Sequence, residues 1–427
     1  MNPQGAQLFD AVVAGHHAGR PPGVTSVCSA HPLVLEAAFL HAQETTGPVL
    51  VEATSNQVDQ DGGYTGMTPE DFVRLCRLVA ERVGLPFDRV VLGGDHLGVN
   101  RWRSMPADEA MARADVLVAA YVQAGFTKIH LDCSYACADD VAPLTDEIVA
   151  ARAARLCAVA EQAADDPRLI RYVVGTEVPV PGGADHAIES LSPTPASSAR
   201  HTLQAHRAAF AAAGVGAAWE RVMALVVQPG VEFDHASVVD YDRYRTGDLR
   251  DVLKDQPHLV FEAHSTDYQT PGGLRALVED GWGVLKVGPW LTFALREAMF
   301  ALASIEAQIV PGLDRSRLRE VIETMMLADP SWWEPYYRGT AQQQAYARVW
   351  SYSDRLRYYW GYPKVVAAVE TLFRNLDRTG IPMSLLSAHL PYQHDRVRAG
   401  LLNLAARDLV IDRVRDVLRI YEVATRA

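Results

Sequence analysis

The stretch Val90-Val-Leu-Gly-Gly-Asp-His-Leu-Gly98 decides the fold. Three apolar residues run into two glycines, and then Asp95 and His96 stand side by side. A short apolar run bounded by turn residues reads as a buried strand. An acid and an imidazole at the end of such a strand need partners, because burying them unpaired is costly. Alone, the pair reads as a hydrogen-bonded Asp–His couple that stiffens a loop. The same arrangement recurs along the chain, and the recurrence carries the meaning.

Working outward, seven further apolar runs each end in polar or turn residues: Val24–Cys28, Val49–Ala53, Lys128–Asp132, Arg171–Glu177, Val222–Gln228, Leu259–His264 and Val284–Gly288. Helical patterns separate them, for instance over Ala107–Ala124, Thr145–Ala164 and Pro195–Ala213. Strands alternating with helices imply right-handed crossovers and a parallel sheet. A count of eight predicts an α/β fold, a closed (β/α)8 TIM barrel, over residues 1–309 with an N-terminal helix at 3–18. The runner-up, an open doubly wound sheet, would want a glycine-rich first strand–helix turn, and Cys28-Ser-Ala-His-Pro32 is not one. Residues 290–308 read as one helix, with Arg296 and Glu297 as a surface or interface pair. Residues 310–427 read as a helical extension packed on the barrel or at a subunit interface. That extension carries the aromatic clusters Trp332-Trp333 and Tyr358-Tyr359-Trp360.

A net charge of −12 over 427 residues argues against nucleic acid or an anionic membrane as partner. No apolar run approaches a membrane span, and Met1–Asp10 shows no signal-peptide core, so a cytoplasmic protein is expected. The five cysteines are odd in number and form no CxxC, which makes a disulfide framework an unattractive reading. Only four of the 40 basic residues are lysines, and Lys128 and Lys286 fall inside strands. A buried ion pair with a neighbouring acid accounts for each, with Schiff-base chemistry as the alternative.

In a barrel all strand C-termini share one face, where active sites sit. Asp95-His96, Asp132, Glu177, Glu232, His235 and His264 therefore converge by topology. Two imidazoles and a carboxylate suit a divalent metal with open positions. His96 and His264 supply the imidazoles. The third ligand lies among Glu232, His235 and Glu177, with Glu232 narrowly ahead of His235. Alternation puts Lys128, His130 and Asp132 on one side of their strand. Asp95, Asp132 and Glu177 are the candidate acid/base groups. Ser265, Thr266 and Asp267 after the seventh strand, with Gly288 and Thr292 after the eighth, are candidates for phosphate, since barrels often bind anions where the last two loops meet a helix start. Asn56, in the polar loop after the second strand, is a further candidate for substrate.

The segments SVCSAHPLV, VEATSNQV, GGYTGMTP, GGDHLG, GTEVPVPGG, QPGVEFDH and EAHSTDYQT, together with YSDRLRYYW at 352–360, resemble the GatZ/KbaZ family, second subunits of class II D-tagatose-1,6-bisphosphate aldolases. The resemblance implies a relation to zinc-dependent class II ketose-bisphosphate aldolases. Asp95 then matches their acid/base group and His96 a metal ligand. His264 matches their strand-seven ligand, followed by the phosphate loop at Ser265-Thr266. The strand-six histidine of those enzymes has no counterpart, because this chain reads Pro-Gly-Val-Glu there. The cofactor so implied is zinc, with magnesium, manganese, cobalt or nickel as alternatives. The resemblance implies two roles: C4 epimerisation of a ketose phosphate such as fructose or tagatose 6-phosphate, or a non-catalytic subunit that stabilises a catalytic class II aldolase partner. Homo-oligomers are expected in either case. A sugar-phosphate kinase is a weaker reading, with no GxxxxGK[ST] loop in the chain.

Overall fold

A computed structural model describes residues 2–176 and 191–426. Eight parallel strands close into a barrel: β1 Val24–Val27, β2 Val49–Thr54, β3 Val90–Gly98, β4 Lys128–Asp132, β5 Arg171–Val174, β6 Val222–Val226, β7 Val260–Ala263 and β8 Trp282–Val287. β8 pairs with β1 from Val24↔Val284 to Val27↔Val287, which closes the ring and removes both sheet edges. The open-sheet alternative is thereby excluded. β5 stops at Val174, short of the expected end at Glu177, and Glu177 lies outside the described residues. β8 begins two residues earlier than the sequence pattern suggests, at the fully buried Trp282. A two-stranded ribbon, Glu232–Phe233 against Val238–Val239, was not anticipated; it follows β6 at the mouth.

The barrel interior is stacked in levels. At the N-terminal end the helix Pro3–His17 closes the ring, its Phe9, Val12 and Val13 packing with Leu50, Val91, Val173, Met223 and Val284. One level higher the register aligns Ser26 with Lys286, Glu52 with Gly93, and Gly93 with Lys128. Gly93 has no side chain for a reason: a Cβ there would meet Glu52 Cγ at 2.5 Å. The missing side chain leaves room for an acid inside the ring.

After β8 the helix Pro289–Ile309 leads into the helical C-terminal region, which ends in the helix Ala406–Thr425. That last helix packs on Pro32–Gln43, Pro271–Glu279 and Pro289–Ile309, so the end of the chain sits in the outer helical layer. Its Val414, Leu418 and Tyr421 share one apolar core with Leu33, Leu274 and Leu291. Arg296 and Glu297 do not pair with each other. Arg296 is fully buried, 3.6 Å from Asp354 and stacked over Phe293, whereas Glu297 takes Arg413 at 2.5 Å. The sequence pattern missed this because Asp354 and Arg413 lie in the C-terminal region. No helix among the described residues is long and apolar enough to cross a membrane.

Candidate active site at the barrel mouth

The site grows out of an irregularity in β3. Adjacent residues on a strand point to opposite faces, yet Asp95 and His96 both line the same cavity. The register with β4 slips between Gly94 and Leu97, and His96 takes a left-handed backbone, φ 50°. Such a conformation in a non-glycine residue costs of order 1–3 kcal/mol and persists only where its surroundings hold it. Here Ser55 Oγ donates to the His96 carbonyl at 2.7 Å, and the His96 N–H meets His130 Nδ1 at 3.2 Å. Gly98 completes the bend, since a Cβ there would lie 1.7 Å from the Asp132 carbonyl oxygen.

Three imidazoles meet above this bend. The ring centroids of His96, His130 and His264 are 4.9–5.2 Å apart. Each has one ring nitrogen against a carboxylate: His96 Nδ1 to Asp132 at 2.8 Å, His130 Nδ1 to Asp95 at 2.9 Å, and His264 Nε2 to Glu262 at 3.1 Å. Carboxylates so placed orient the rings, and two of them, Asp95 and Glu262, also offer an oxygen to the cluster itself. The buried Nε2 of His130 has no hydrogen-bond partner, a costly orphan unless something binds it.

Below the imidazoles lies an ionic level. Lys128 Nζ is 2.8 Å from both Glu52 and Glu262. Lys286 Nζ contacts Asp95 and lies 3.1 Å from Glu262 and 3.5 Å from Glu52. The buried-ion-pair reading of both lysines therefore holds. With Asp132, which pairs with His96, four buried acids stand against two buried lysines, a formal excess of two negative charges. Burial pushes the Asp95 carboxyl up, but His96, Lys286 and the His130 hydrogen bond hold it well below the usual range. Glu262 is likewise held low against its burial by Lys128 and Lys286. Burial and the nearby Lys286 drive His264 down to about 3, so it stays neutral. Asp132, in spite of burial, is lowered to about 2 by His96.

Asp95, His130, Glu262 and His264 present donor atoms all within 4.8 Å of one another, so this buried cluster could hold a metal ion. Neutral imidazoles, ionised acids and an unpaired nitrogen are the donor chemistry that a divalent cation requires. Sequence reasoning sought the third ligand near strand six, and this cluster takes no residue from there. Glu232 is buried beside Ser265 and outside this cluster, with its Oε1 taking the Phe233 N–H at 3.0 Å. Burial pushes its carboxyl up to about 7. His235 turns toward the C-terminal region, with Nδ1 3.1 Å from Ser351 Oγ and its ring against Tyr337. The imidazoles of this cluster are His130 and His264; His96, expected as a ligand, lies outside it, with Nδ1 on Asp132. The two-residue period His130–Asp132 marked the face of His130, but the residue read as core.

The cavity above is about 790 Å³. Asn56, Ser265, Asp267, Gly288 and Thr292, the residues expected to meet substrate or phosphate, are among those that line it. Their free donors are fewer than expected. Asp267 Oδ1 accepts the N–H groups of Gly288 at 3.0 Å and Trp290 at 2.8 Å, and so fills the start of the helix after β8. Thr266 points away, donating to the Lys286 carbonyl at 2.5 Å. Thr292 Oγ1 is 2.5 Å from Asp354. The far wall comes from the C-terminal region, with Arg357, Tyr358 and Trp360 facing the same cavity. Nothing in the barrel pattern pointed to these three.

Comparison with known proteins matches this architecture. A crystal structure from Sinorhizobium meliloti 1021, described as a probable tagatose 6 phosphate kinase, is 50% identical, covers 94% of this chain and 100% of its own, and superposes with a TM-score of 0.88. A fructuronate-tagaturonate epimerase from Cohnella laeviribosi, 12% identical, shares the fold over 94% of this chain and 81% of its own at a TM-score of 0.51. The model of the family described as D-tagatose-1,6-bisphosphate aldolase subunit GatZ/KbaZ-like matches residues 9–426, and the chain belongs to that family.

Proposed function

We propose that this chain is a metal-dependent ketose-phosphate enzyme that inverts C4 by breaking and remaking the C3–C4 bond. The observation that carries the reading is the trio of imidazoles, each backed by a carboxylate, beside Lys286 and Asp95 at the floor of a sugar-sized cavity. A scaffold has no use for such a costly buried arrangement.

A divalent cation held by His130, His264 and Glu262 would supply Lewis-acid polarisation of the ketose carbonyl. The remaining steps belong to the chain. Asp95 takes the proton of the C4 hydroxyl as the C3–C4 bond breaks. The electron pair of that bond passes to C3 and is delocalised onto the C2 oxygen, giving an enediolate and an aldehyde. Lys286, fixed among three acids, stabilises the developing negative charge without reorganising. The aldehyde turns its other face, C3 attacks it, and Asp95 returns the proton to the new C4 oxygen. Atoms and charge balance with no further reactant.

The test is the purified chain with divalent metal and fructose 6-phosphate, followed by NMR for tagatose 6-phosphate. Product is expected from wild type and not from His96→Ala or His264→Ala. Robust turnover in both variants would exclude this site. The family description favours a second reading, a subunit that raises the activity of a catalytic aldolase. That reading expects no turnover by the chain alone and faster tagatose-bisphosphate cleavage on adding the partner. The kinase description of the Sinorhizobium protein finds no nucleotide loop in this sequence.

A further inference from the structure

We infer that the mouth holds a single anion seat, built by Arg357 of the C-terminal region, which takes the terminal phosphate of a ketose monophosphate at the end remote from its carbonyl. The inference rests on the proposed function for the identity of the sugar but on separate residues for the seat.

The position that barrels commonly offer to phosphate is already taken. The N–H groups of Gly288 and Trp290 are spent on Asp267, a buried acid of the protein's own. A second anion brought to that helix start would face Asp267 at contact distance, and like charges so close repel. A neutral hydroxyl can instead donate to the second Asp267 oxygen. This end of the cavity therefore suits an unphosphorylated C1.

Arg357 has the opposite character. Nη1 donates to the carbonyls of Ser353 and Asp354, the latter at 3.2 Å, and Nη2 to Tyr358 Oη at 3.0 Å. Those bonds aim the guanidinium without neutralising it. Among the described residues no carboxylate contacts Arg357; Asp354 and Asp267 act on it only from a distance. The nearest acid in sequence, Asp354, is turned to Thr292 and Arg296. Tyr358 is itself clamped, stacked on Trp332 with centroids 4.9 Å apart and edge-on to Tyr64 at 4.6 Å. An arginine that no carboxylate touches, held rigid in a cavity, is suited to a phosphate, whose oxygens match its fork. The seat also serves the chemistry: cleavage of a ketose 6-phosphate leaves the phosphate on the aldehyde half. Anchored at Arg357, that half can turn its carbonyl without escaping.

Isothermal titration of the full chain with inorganic phosphate, fructose, fructose 6-phosphate and fructose 1,6-bisphosphate separates this seat from catalysis. Wild type is expected to bind the 6-phosphate more tightly than fructose, with no gain from a second phosphate. Arg357→Gln is expected to weaken the 6-phosphate by about 10- to 100-fold while leaving fructose unchanged. Arg357→Lys, which keeps the charge and protects against a folding defect, should fall between. Asp267→Asn should improve the bisphosphate selectively. Equal binding of fructose 6-phosphate by wild type and both Arg357 variants would overturn the seat, whatever the turnover. Absence of epimerisation with these binding differences intact would overturn the reaction and leave the seat standing.

Discussion

The two ends of the barrel interior obey opposite rules. At the closed end, Phe9, Val12, Leu50, Val91, Val173 and Val284 fill the ring with apolar volume. At the open end the same strands present Glu52, Asp95, His96, Lys128, His130, Asp132, Glu262, His264 and Lys286, all buried. The closed end is what a chain does to be stable. The open end spends stability, because desolvating ion pairs costs about as much as their attraction returns. The comparison teaches that function here sits where the strands stop behaving as core, and each prediction below probes that divide.

The largest effect belongs to the imidazoles. Replacing His130 by Ala should lower turnover by about 1000-fold or more, as for His96 and His264, because an unpaired ring nitrogen aimed at a ligand is removed. Thermal stability should fall as well, since the His96 N–H and Asp95 lose their partner at Nδ1, so turnover is compared on folded protein at a temperature below the variant's Tm. Dialysis against a chelator should reproduce the activity loss, and added divalent metal should restore it. A His130→Ala protein with normal turnover would make the mouth an ordinary polar core and erase the contrast.

Next comes the ionic level. Lys128→Met leaves Glu52 and Glu262 buried with half their positive charge, and should cost about 3–5 kcal/mol in denaturant unfolding. Pairing it with Glu262→Gln should recover part of that loss, since the uncompensated acid is gone. At the closed end, Val12→Ala should cost about 1–3 kcal/mol through the cavity it opens. Turnover there should stay unchanged. If Val12→Ala altered catalysis as strongly as Lys128→Met, the two ends would not be separable.

How far the sequence led depends on the same divide. All eight strands were legible because apolar runs ending in polar residues leave a local signature, down to the bounds of Val90–Gly98. Asp95, His96, Asp132 and His264 were legible as neighbours because barrel topology gathers strand ends. His130 and Glu262 were harder. A polar residue two positions before a strand end looks like either core or site until its partners are known. Arg357 was illegible, because it reaches the mouth from a region whose docking no strand pattern encodes. Arg296 misled for the same reason, its partner Asp354 lying 58 positions away in a loop.

The smallest effect falls at the rim, where His31 joins both regimes. Its Nδ1 caps the helix Pro32–Gln43 by accepting the Leu33 N–H at 3.2 Å, and its ring stands edge-on to Trp360. Burial, with Arg407 nearby, lowers its pKa to about 4. A histidine depressed in the folded state binds fewer protons there than when unfolded. Its stabilising share is therefore complete above the unfolded value of 6.5 and is lost as pH falls from 6.5 toward about 4. Protonation also removes the acceptor, so the cap, worth about 1 kcal/mol, goes with it. His31→Asn keeps an acceptor that does not titrate, and should flatten unfolding free energy against pH over that window while leaving the neutral-pH value within about 0.5 kcal/mol. An unchanged slope would mean that the acid sensitivity of the rim resides elsewhere.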